Sequence, residues 1–419
     1  MNYVKNQVSL FWKPALISML AIFLLNGCQK EQLSSTENLQ EQQSTQRVID
    51  LLKQGKLVSI IDLPEPTINL SKLPRQVATS RSASKVKVPQ SLIEEIEEQR
   101  ELLNRVINPE DFECGATFLD PYIGSILEDF TDDELSLLFN FGALIPILEG
   151  VFVDDIRDRD FFGFEGRFTD GVRNTFVDLR GFWDIPNDII LSDAHGSVFE
   201  DEVLVAELIQ FWFVNFDEEG NEIPIFSDEL AAFIAQDLKV TFGSDKFDNF
   251  NHPMLTFNAV AFAGIPELGM PRKIVMGDGL MEAYAELGLG SMAERFILAH
   301  EYGHHIHFSK NIFGDNSPES TRFLELLSDT YAAYYASHGK GLFLHAAVIN
   351  RYLKTSSSVG DCNFDSPGHH GTPNQRARAA ALGGELAKRV GIFHPTYTSD
   401  EILEIFTAAF PDIIRPDAE

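Results

Sequence analysis

The stretch His300-Glu301-Tyr302-Gly303-His304, HEYGH, decides how the rest of this 419-residue chain is read. Residues four apart on a helix share a face, so the two imidazoles stand one turn apart, about 6 Å along the axis. Imidazoles at that spacing suit a divalent metal, and the Glu301 carboxylate beside the first can act as a base. Gly303 costs such a helix about 1 kcal/mol relative to Ala. A glycine there makes sense where something packs tightly against the turn. Only three positions of the pattern are specified, so its flanks have to support it.

Upstream, Ser291-Met292-Ala293-Glu294 reads as a capping box, S-x-x-E, and predicts a helix running to about His307. Before it, Met254 to Phe262 (MLTFNAVAF) and Arg272 to Met276 (RKIVM) read as strands, followed by a short helix over Leu280 to Leu287. Downstream, Ser317-Pro318 supplies an N-cap and a first-turn proline for a helix to about Ser337, stopped at Gly339. A further helix is expected over Leu342 to Leu353. Thr372-Pro373-Asn374-Gln375 is a second capping box, and a last helix covers about Asp400 to Ala409.

A catalytic zinc takes three protein ligands and keeps one position open for water. The metzincin continuation H-E-x-x-H-x-x-G-x-x-H fails here, because His307 stands where Gly belongs and Lys310 where His belongs. The other source is a carboxylate on the following helix. Glu325 sits in the otherwise apolar stretch Phe323 to Leu327, where an unpaired charge is costly and implies a strong partner. Asp329, one turn later, can accept the outer N–H of a ligand histidine and so fix its tautomer.

These blocks follow one another in order: NAVAFAG (Asn258 to Gly264), RKIVMGDGLM (Arg272 to Met281), AERFILAHEYGHH (Ala293 to His305) and LELLSDTYA (Leu324 to Ala332). Together they resemble the core of the gluzincins, zinc peptidases whose third ligand is a glutamate. The strands are similar to the membrane-associated prenyl-protease and stress-response type. HEYGHH, the E-x-x-x-D block and Gly368 to Arg376 (GHHGTPNQR) resemble bacterial neutral zinc metallopeptidases. The resemblance implies an α+β, zincin-like fold. It implies that His300, His304 and Glu325 bind zinc, and that Glu301 takes a proton from the zinc-bound water and passes it to the leaving amine. Asp329 would orient a ligand histidine. Strand Asn258 to Phe262 would pair with an extended substrate, whose backbone the Asn258 side chain would hold. An oxyanion donor is also needed, and Tyr334, Tyr335, His369 and His370 are the candidates. His305 and His307 read as helix-surface residues, and His195, in Asp193-Ala194-His195-Gly196, as a turn histidine.

The beginning of the chain reads differently. Lys5 and Lys13 precede an uncharged apolar run, Pro14 to Leu25, too short to span a bilayer. It ends at Leu25-Asn26-Gly27-Cys28, which resembles a bacterial lipobox. That implies a signal peptide over 1–27, lipid on Cys28, and a location on a membrane of the bacterial envelope, most naturally the outer membrane or cell surface. Residues 28–88, rich in Gln, Ser, Thr, Lys and Glu, read as a flexible tether. Residues 89–250 carry no familiar motif, and 251–419 hold the expected catalytic domain. Within 89–250, Ser91 to Asn108 and Asp132 to Leu148 suit helices. Val151 to Phe216 reads as short strands and turns ahead of a helix over Val203 to Phe213, and Ser227 to Asp237 as another helix.

A formal net charge of −30 excludes nucleic acid as a partner, since phosphates would be repelled. Besides Cys28, Cys114 and Cys362 are the pair available for a disulfide in an oxidising compartment. The expected partner is a peptide or protein substrate. Two rival readings remain at the sequence level: an inactive zincin scaffold that binds at the surface, and an amidase acting on peptidoglycan peptides.

Overall fold

The computed structural model describes residues 67–69, 85–87, 90, 92–93 and 116–416, with gaps at 154–160, 217–221, 267–268, 315–316, 345–353, 357–358, 363, 366–367 and 391–395. The expected signal peptide, Cys28, Cys114 and most of the tether and of the Ser91 to Asn108 helix lie outside the described residues. So does most of the helix expected over Leu342 to Leu353.

The strands are β1 (Thr67–Asn69), β2 (Lys85–Lys87), β3 (Ile190–Ala194), β4 (Val214–Phe216), β5 (Glu222–Pro224), β6 (Ala259–Phe262) and β7 (Lys273–Gly277). The first helices are α1 (Asp120–Ile126), α2 (Asp132–Leu137), α3 (Ile145–Phe152), α4 (Thr169–Phe182), α5 (Glu202–Trp212) and α6 (Asp228–Phe242). They are followed by α7 (Asp278–Glu286), α8 (Ala293–Lys310), α9 (Pro318–Ser337), α10 (Pro373–Val390) and α11 (Ser399–Ile413). The architecture is mostly helical around a small mixed sheet, which is compatible with α+β. Two antiparallel pairs, β1–β2 and β4–β5, stand apart from that sheet.

The sheet has the order β3-β7-β6. Strand β6 runs antiparallel to β7, Ala259 opposite Met276, and β3 runs parallel to it, Ala194 opposite Gly277. Residues on both sides of position 250 therefore build one sheet, and one continuous apolar core runs from Leu92 to Ile413. Helix α3 lies close on the sheet: a Cβ at Gly150 would stand 2.5 Å from Val275 Cγ1. From β7, the buried Lys273 donates its Nζ to the Gly150 carbonyl at 3.3 Å.

Several expectations are corrected. The run Met254 to Phe262 is not one strand. Pro253–Thr256 forms a 3-10 turn, entered through His252, whose Nδ1 accepts from the Met254 N–H at 3.3 Å, and β6 begins only at Ala259. Within Val151 to Phe216, where the sequence predicts short strands and turns ahead of Val203, Thr169–Phe182 is a fourteen-residue helix. Its buried Val172, Thr175, Phe176 and Leu179 repeat at helical spacing, which Gly171 and Gly181 disguise. The start of α8 differs from the capping box read at Ser291: Gly290–Met292 is a 3-10 turn, and α8 starts at Ala293 with Met292 at its N-cap and no side-chain cap.

Other local signals hold. Ser317 caps α9 by accepting from the Ser320 N–H at 3.2 Å. Thr372 and Gln375 form the reciprocal box that opens α10, at 3.1 and 3.2 Å. Thr398 and Glu401 do the same for α11, which runs on past the expected end to Ile413.

Candidate metal centre

The site rests on the contact between α8 and α9. Gly303 makes that contact possible: a Cβ there would stand 3.0 Å from Ser328 Cα on α9. This is the tight packing that the glycine implied. With the helices this close, Glu325 reaches the two histidines one turn apart on α8. His300 Nε2 lies 3.0 Å from Glu325 Oε2, His304 Nε2 lies 3.2 Å from Glu325 Oε1, and the two Nε2 atoms are 3.1 Å apart.

His300, His304 and Glu325 are all buried, and each points one ligand atom at a common spot, so they could hold a metal ion. Their spacing supports that. A tetrahedral metal with bonds of about 2.0–2.1 Å keeps neighbouring ligand atoms about 3.4 Å apart. Imidazole lone pairs and a carboxylate meeting at that range repel one another unless a cation stands between them. Burial opposes an imidazolium at His300, but hydrogen bonds to Asp329 and Glu325 outweigh it and raise its pKa to about 10. Burial and the charge at His300, partly offset by Glu325, lower His304 to about 4. Glu325 is held well below the carboxylate range because His304, His370 and His300 overcome its burial. The pocket thus favours a positive charge at the shared spot, as either proton or metal.

The support around these groups is extensive. His300 Nδ1 donates to Asp329 Oδ1 at 2.9 Å, which points Nε2 at the shared spot. Asp329 also accepts from Arg376 Nε and Nη2, at 2.9 and 3.0 Å, and from Ser356 Oγ at 2.7 Å. Arg376 and His300 hold its carboxyl below the usual range against burial, with the Arg376 charge the largest cause. Asp329 is therefore where the sequence reading expected it. Arg376 and Ser356 were given no role there. The arginine stood in the GHHGTPNQR segment, and its partner on another helix could not be read from spacing.

Glu301 is buried beside His300 and borders a cleft with about 590 Å³ of open space. Asn258 and Ala259 at the start of β6, Leu280 and Tyr284 of α7, Phe296 and Ile297 of α8, and Arg376 share its walls. The Asn258 side chain accepts from the Ala259 N–H at 2.9 Å, which orients it at the rim. Sequence-distant Asn258, His300 and Glu301 thus come together on one cleft.

The four candidate oxyanion donors separate. Tyr334 and Tyr335 are away from the cleft, in an aromatic cluster with Phe182, Trp183 and His338. The Tyr334 hydroxyl accepts from the Tyr397 N–H at 2.8 Å. His370 is buried with its Nδ1 3.6 Å from Asp361 Oδ2, and its charge lowers the pKa of both Glu325 and His304. His369 stands behind it, its Nδ1 2.6 Å from Asp361 Oδ1.

His305 and His307 are not surface residues. Helix α8 is enclosed on most sides, and His305 Nε2 donates to the Lys273 carbonyl at 2.9 Å, which ties the helix to β7. His307 is 1 % exposed with neither ring nitrogen bonded, and burial lowers its pKa well below the usual value. His195 is not a solvated turn residue either. Strands β3 and β7 are parallel and in register, so their next residues, His195 and Asp278, meet at 2.5 Å through Nδ1 and Oδ2. Asp193 Oδ2 takes the other nitrogen at 2.8 Å, and the Phe161 ring stacks on the imidazole at 4.1 Å. Cys362 is disulfide-bonded, and its partner lies outside the described residues.

No family model, curated protein or solved structure matches this chain.

Proposed function

We propose that this protein is a zinc-dependent peptidase with a zincin-like core. The observation that carries the reading is the convergence of His300 Nε2, His304 Nε2 and the Glu325 carboxylate, with His300 and Glu301 on the wall of a cleft. Two imidazoles and one carboxylate are the donor set of catalytic zinc sites that keep a position open. Zinc bound there supplies a Lewis acid that lowers the pKa of a water and polarises a carbonyl.

The chain's own residues do the rest. Glu301 accepts the proton of the attacking water and delivers it to the leaving amine. Asp329 fixes the His300 tautomer, and Arg376 with Ser356 keeps Asp329 anionic and still. An extended peptide lies along the cleft end of β6, where Asn258 meets its backbone. His370, whose charge acts on Glu325 and His304, donates to the developing oxyanion. The Leu25 to Cys28 motif supports lipid attachment to an envelope membrane; no helix among the described residues is long and apolar enough to cross one.

The test compares wild type with Glu325→Ala and Glu301→Gln. Purified protein should carry one zinc, lost in Glu325→Ala, and should cleave an unstructured protein, with cleavage lost in Glu301→Gln while zinc is kept. Full zinc in Glu325→Ala moves the third ligand elsewhere. Equal cleavage by Glu301→Gln rules out the mechanism. Release of peptides from peptidoglycan with proteins untouched selects the amidase.

A further inference from the structure

Helix α7 gives the cleft one of its walls, and it is tied down from its other side. Leu280 and Tyr284 share the cleft with Phe296, Ile297, His300 and Glu301 of α8. Asp278 and Glu282 stand two residues from them, about 200° round the helix axis, so they face away from the cleft. Neither borders it.

Both carboxylates reach the same turn of chain, residues 161–168. Asp278 Oδ1 accepts the Gly163 N–H at 2.7 Å, and Glu282 Oε1 accepts the Phe164 N–H at 3.0 Å. Glu282 Oε2 takes Arg167 Nη1 at 2.7 Å. The start of α7 is also fixed to the sheet, since Asp278 Oδ2 meets His195 Nδ1 at 2.5 Å and the Gly279 N–H donates to Thr256 Oγ1 at 2.8 Å. Glu282 lies one turn further, about 6 Å along the axis. Two tie points along a helix fix its direction as well as its origin.

The turn that receives them is closed onto α4. The Phe168 N–H donates to the Phe162 carbonyl at 2.8 Å, and the Phe162 N–H to Thr169 Oγ1 at 3.0 Å. Gly163 adopts φ +77° there, and a Cβ on it would stand 2.3 Å from Phe168 Cδ2. Helix α4 in turn packs on α8, with the Phe176 ring 6.4 Å from that of Tyr302. The spacing between α7 and α8 is thus bridged outside the cleft by α4 and the 161–168 turn.

We propose that Asp278 and Glu282 are positioning residues for the cleft: by tying α7 to this turn they set where Leu280 and Tyr284 stand against α8, and so which size of substrate side chain fits beside the cleaved bond. The effect on cleavage rests on the peptidase reading above; the effect on binding does not.

The experiment uses the full metal-loaded chain, as wild type, Glu282→Ala and Glu282→Gln. Quenched fluorescent peptides carry Ala, Leu, Phe or Trp at one residue, placed on each side of the cleaved bond in turn. Wild-type kcat/KM should span roughly tenfold or more across one series, and Glu282→Ala should flatten that series to within about threefold. The change should fall on KM, with kcat and metal content kept. Glu282→Gln still accepts the Phe164 N–H and should fall between; it decides the question where Glu282→Ala fails to fold.

A series of wild-type shape in both variants overturns the positioning role. A flat wild-type series overturns the selection by size. Metal loss or an equal fall in kcat for every peptide also overturns the proposal, because the tie would then hold the metal centre rather than the wall. If wild type cleaves no peptide, the peptidase reading fails, and the same peptides are read as binding by fluorescence anisotropy. Absent or equal binding across the wild-type series then overturns the proposal, and a size preference that Glu282→Ala flattens supports it.

Discussion

Arg376 grips Asp329 with two parallel hydrogen bonds, Nε to Oδ2 at 2.9 Å and Nη2 to Oδ1 at 3.0 Å. Both groups are buried, so removing Arg376 strips Asp329 of its strongest charge partner and leaves it to His300 and Ser356. Arg376→Met is expected to cost about 3–5 kcal/mol of stability and roughly 10–100-fold in metal affinity. Arg376→Lys keeps the charge but not the fork and should fall between. Competition with a metal-binding dye and urea unfolding measure the two effects. Wild-type affinity in Arg376→Met would mean that Asp329 orients His300 without this support.

Gly303→Ala tests how α8 and α9 meet. Alanine favours a helix by about 1 kcal/mol over glycine. Against this, the new Cβ would stand 3.0 Å from a backbone atom, Ser328 Cα, so the helices must part. Overpacking of this kind costs about 1–3 kcal/mol. The clash is expected to win, with a net loss of up to about 2 kcal/mol and weaker metal binding, since Glu325 moves with α9. A higher melting temperature with unchanged metal affinity would show that the helices yield without disturbing the ligands.

Much of this centre was legible because its parts are local. The spacing of His300 and His304, the apolar surroundings of Glu325 and the step to Asp329 are each one helix turn. Ser317-Pro318 and Thr372 to Gln375 marked helix starts by side-chain chemistry that acts within four residues. What stayed hidden depends on partners far along the chain. Arg376 meets Asp329, and His195 meets Asp278, only through tertiary packing. His305 and His307 looked solvated because polar residues usually are, but α8 is enclosed by its neighbours and no periodicity reports that. Ser291 to Glu294 carried the right letters, yet a 3-10 turn displaced the start of α8.

Glu294 should make stability depend on pH. It is 1 % exposed, with Arg295 Nε 3.9 Å from its Oε1, and burial raises its pKa to about 7, opposed by its own backbone N–H and by the Arg295 and Arg167 charges. The folded pKa lies above the ordinary 4.5, so its contribution is full below about 4.5 and is lost as pH rises through about 7. Glu294→Gln cannot ionise. Relative to wild type it should gain little at pH 4.5 and up to about 3 kcal/mol above pH 7. Urea unfolding at pH 4.5, 6 and 8 reads the trend; a flat difference would mean that the carboxylate is solvated or paired.

His195 balances two carboxylates at the ends of β3 and β7. Burial works against its charge, but Asp193 and Asp278 outweigh it and raise the pKa to about 10. Its stabilisation is present below about 6.5 and is lost as pH rises through about 10. At pH 7, His195→Ala strips Asp278 of its cation while the Gly163 N–H stays bonded to it at 2.7 Å. A loss of about 3–5 kcal/mol is expected. A drop under about 1 kcal/mol in urea unfolding would show that the cluster is not a structural ion network.

The parallel pairing of β3 with β7 bears on how the chain can be cut. Strand β7 is the middle of the sheet only while residues 190–194 lie beside it. A fragment starting at Asn251 would keep every ligand and the cleft wall, yet it would bare one whole edge of a buried, apolar strand. Such an edge invites pairing with another copy. Proteolysis near 250 is therefore expected to yield a self-associating product, because residues upstream of the cut complete the sheet on which the cleft is built.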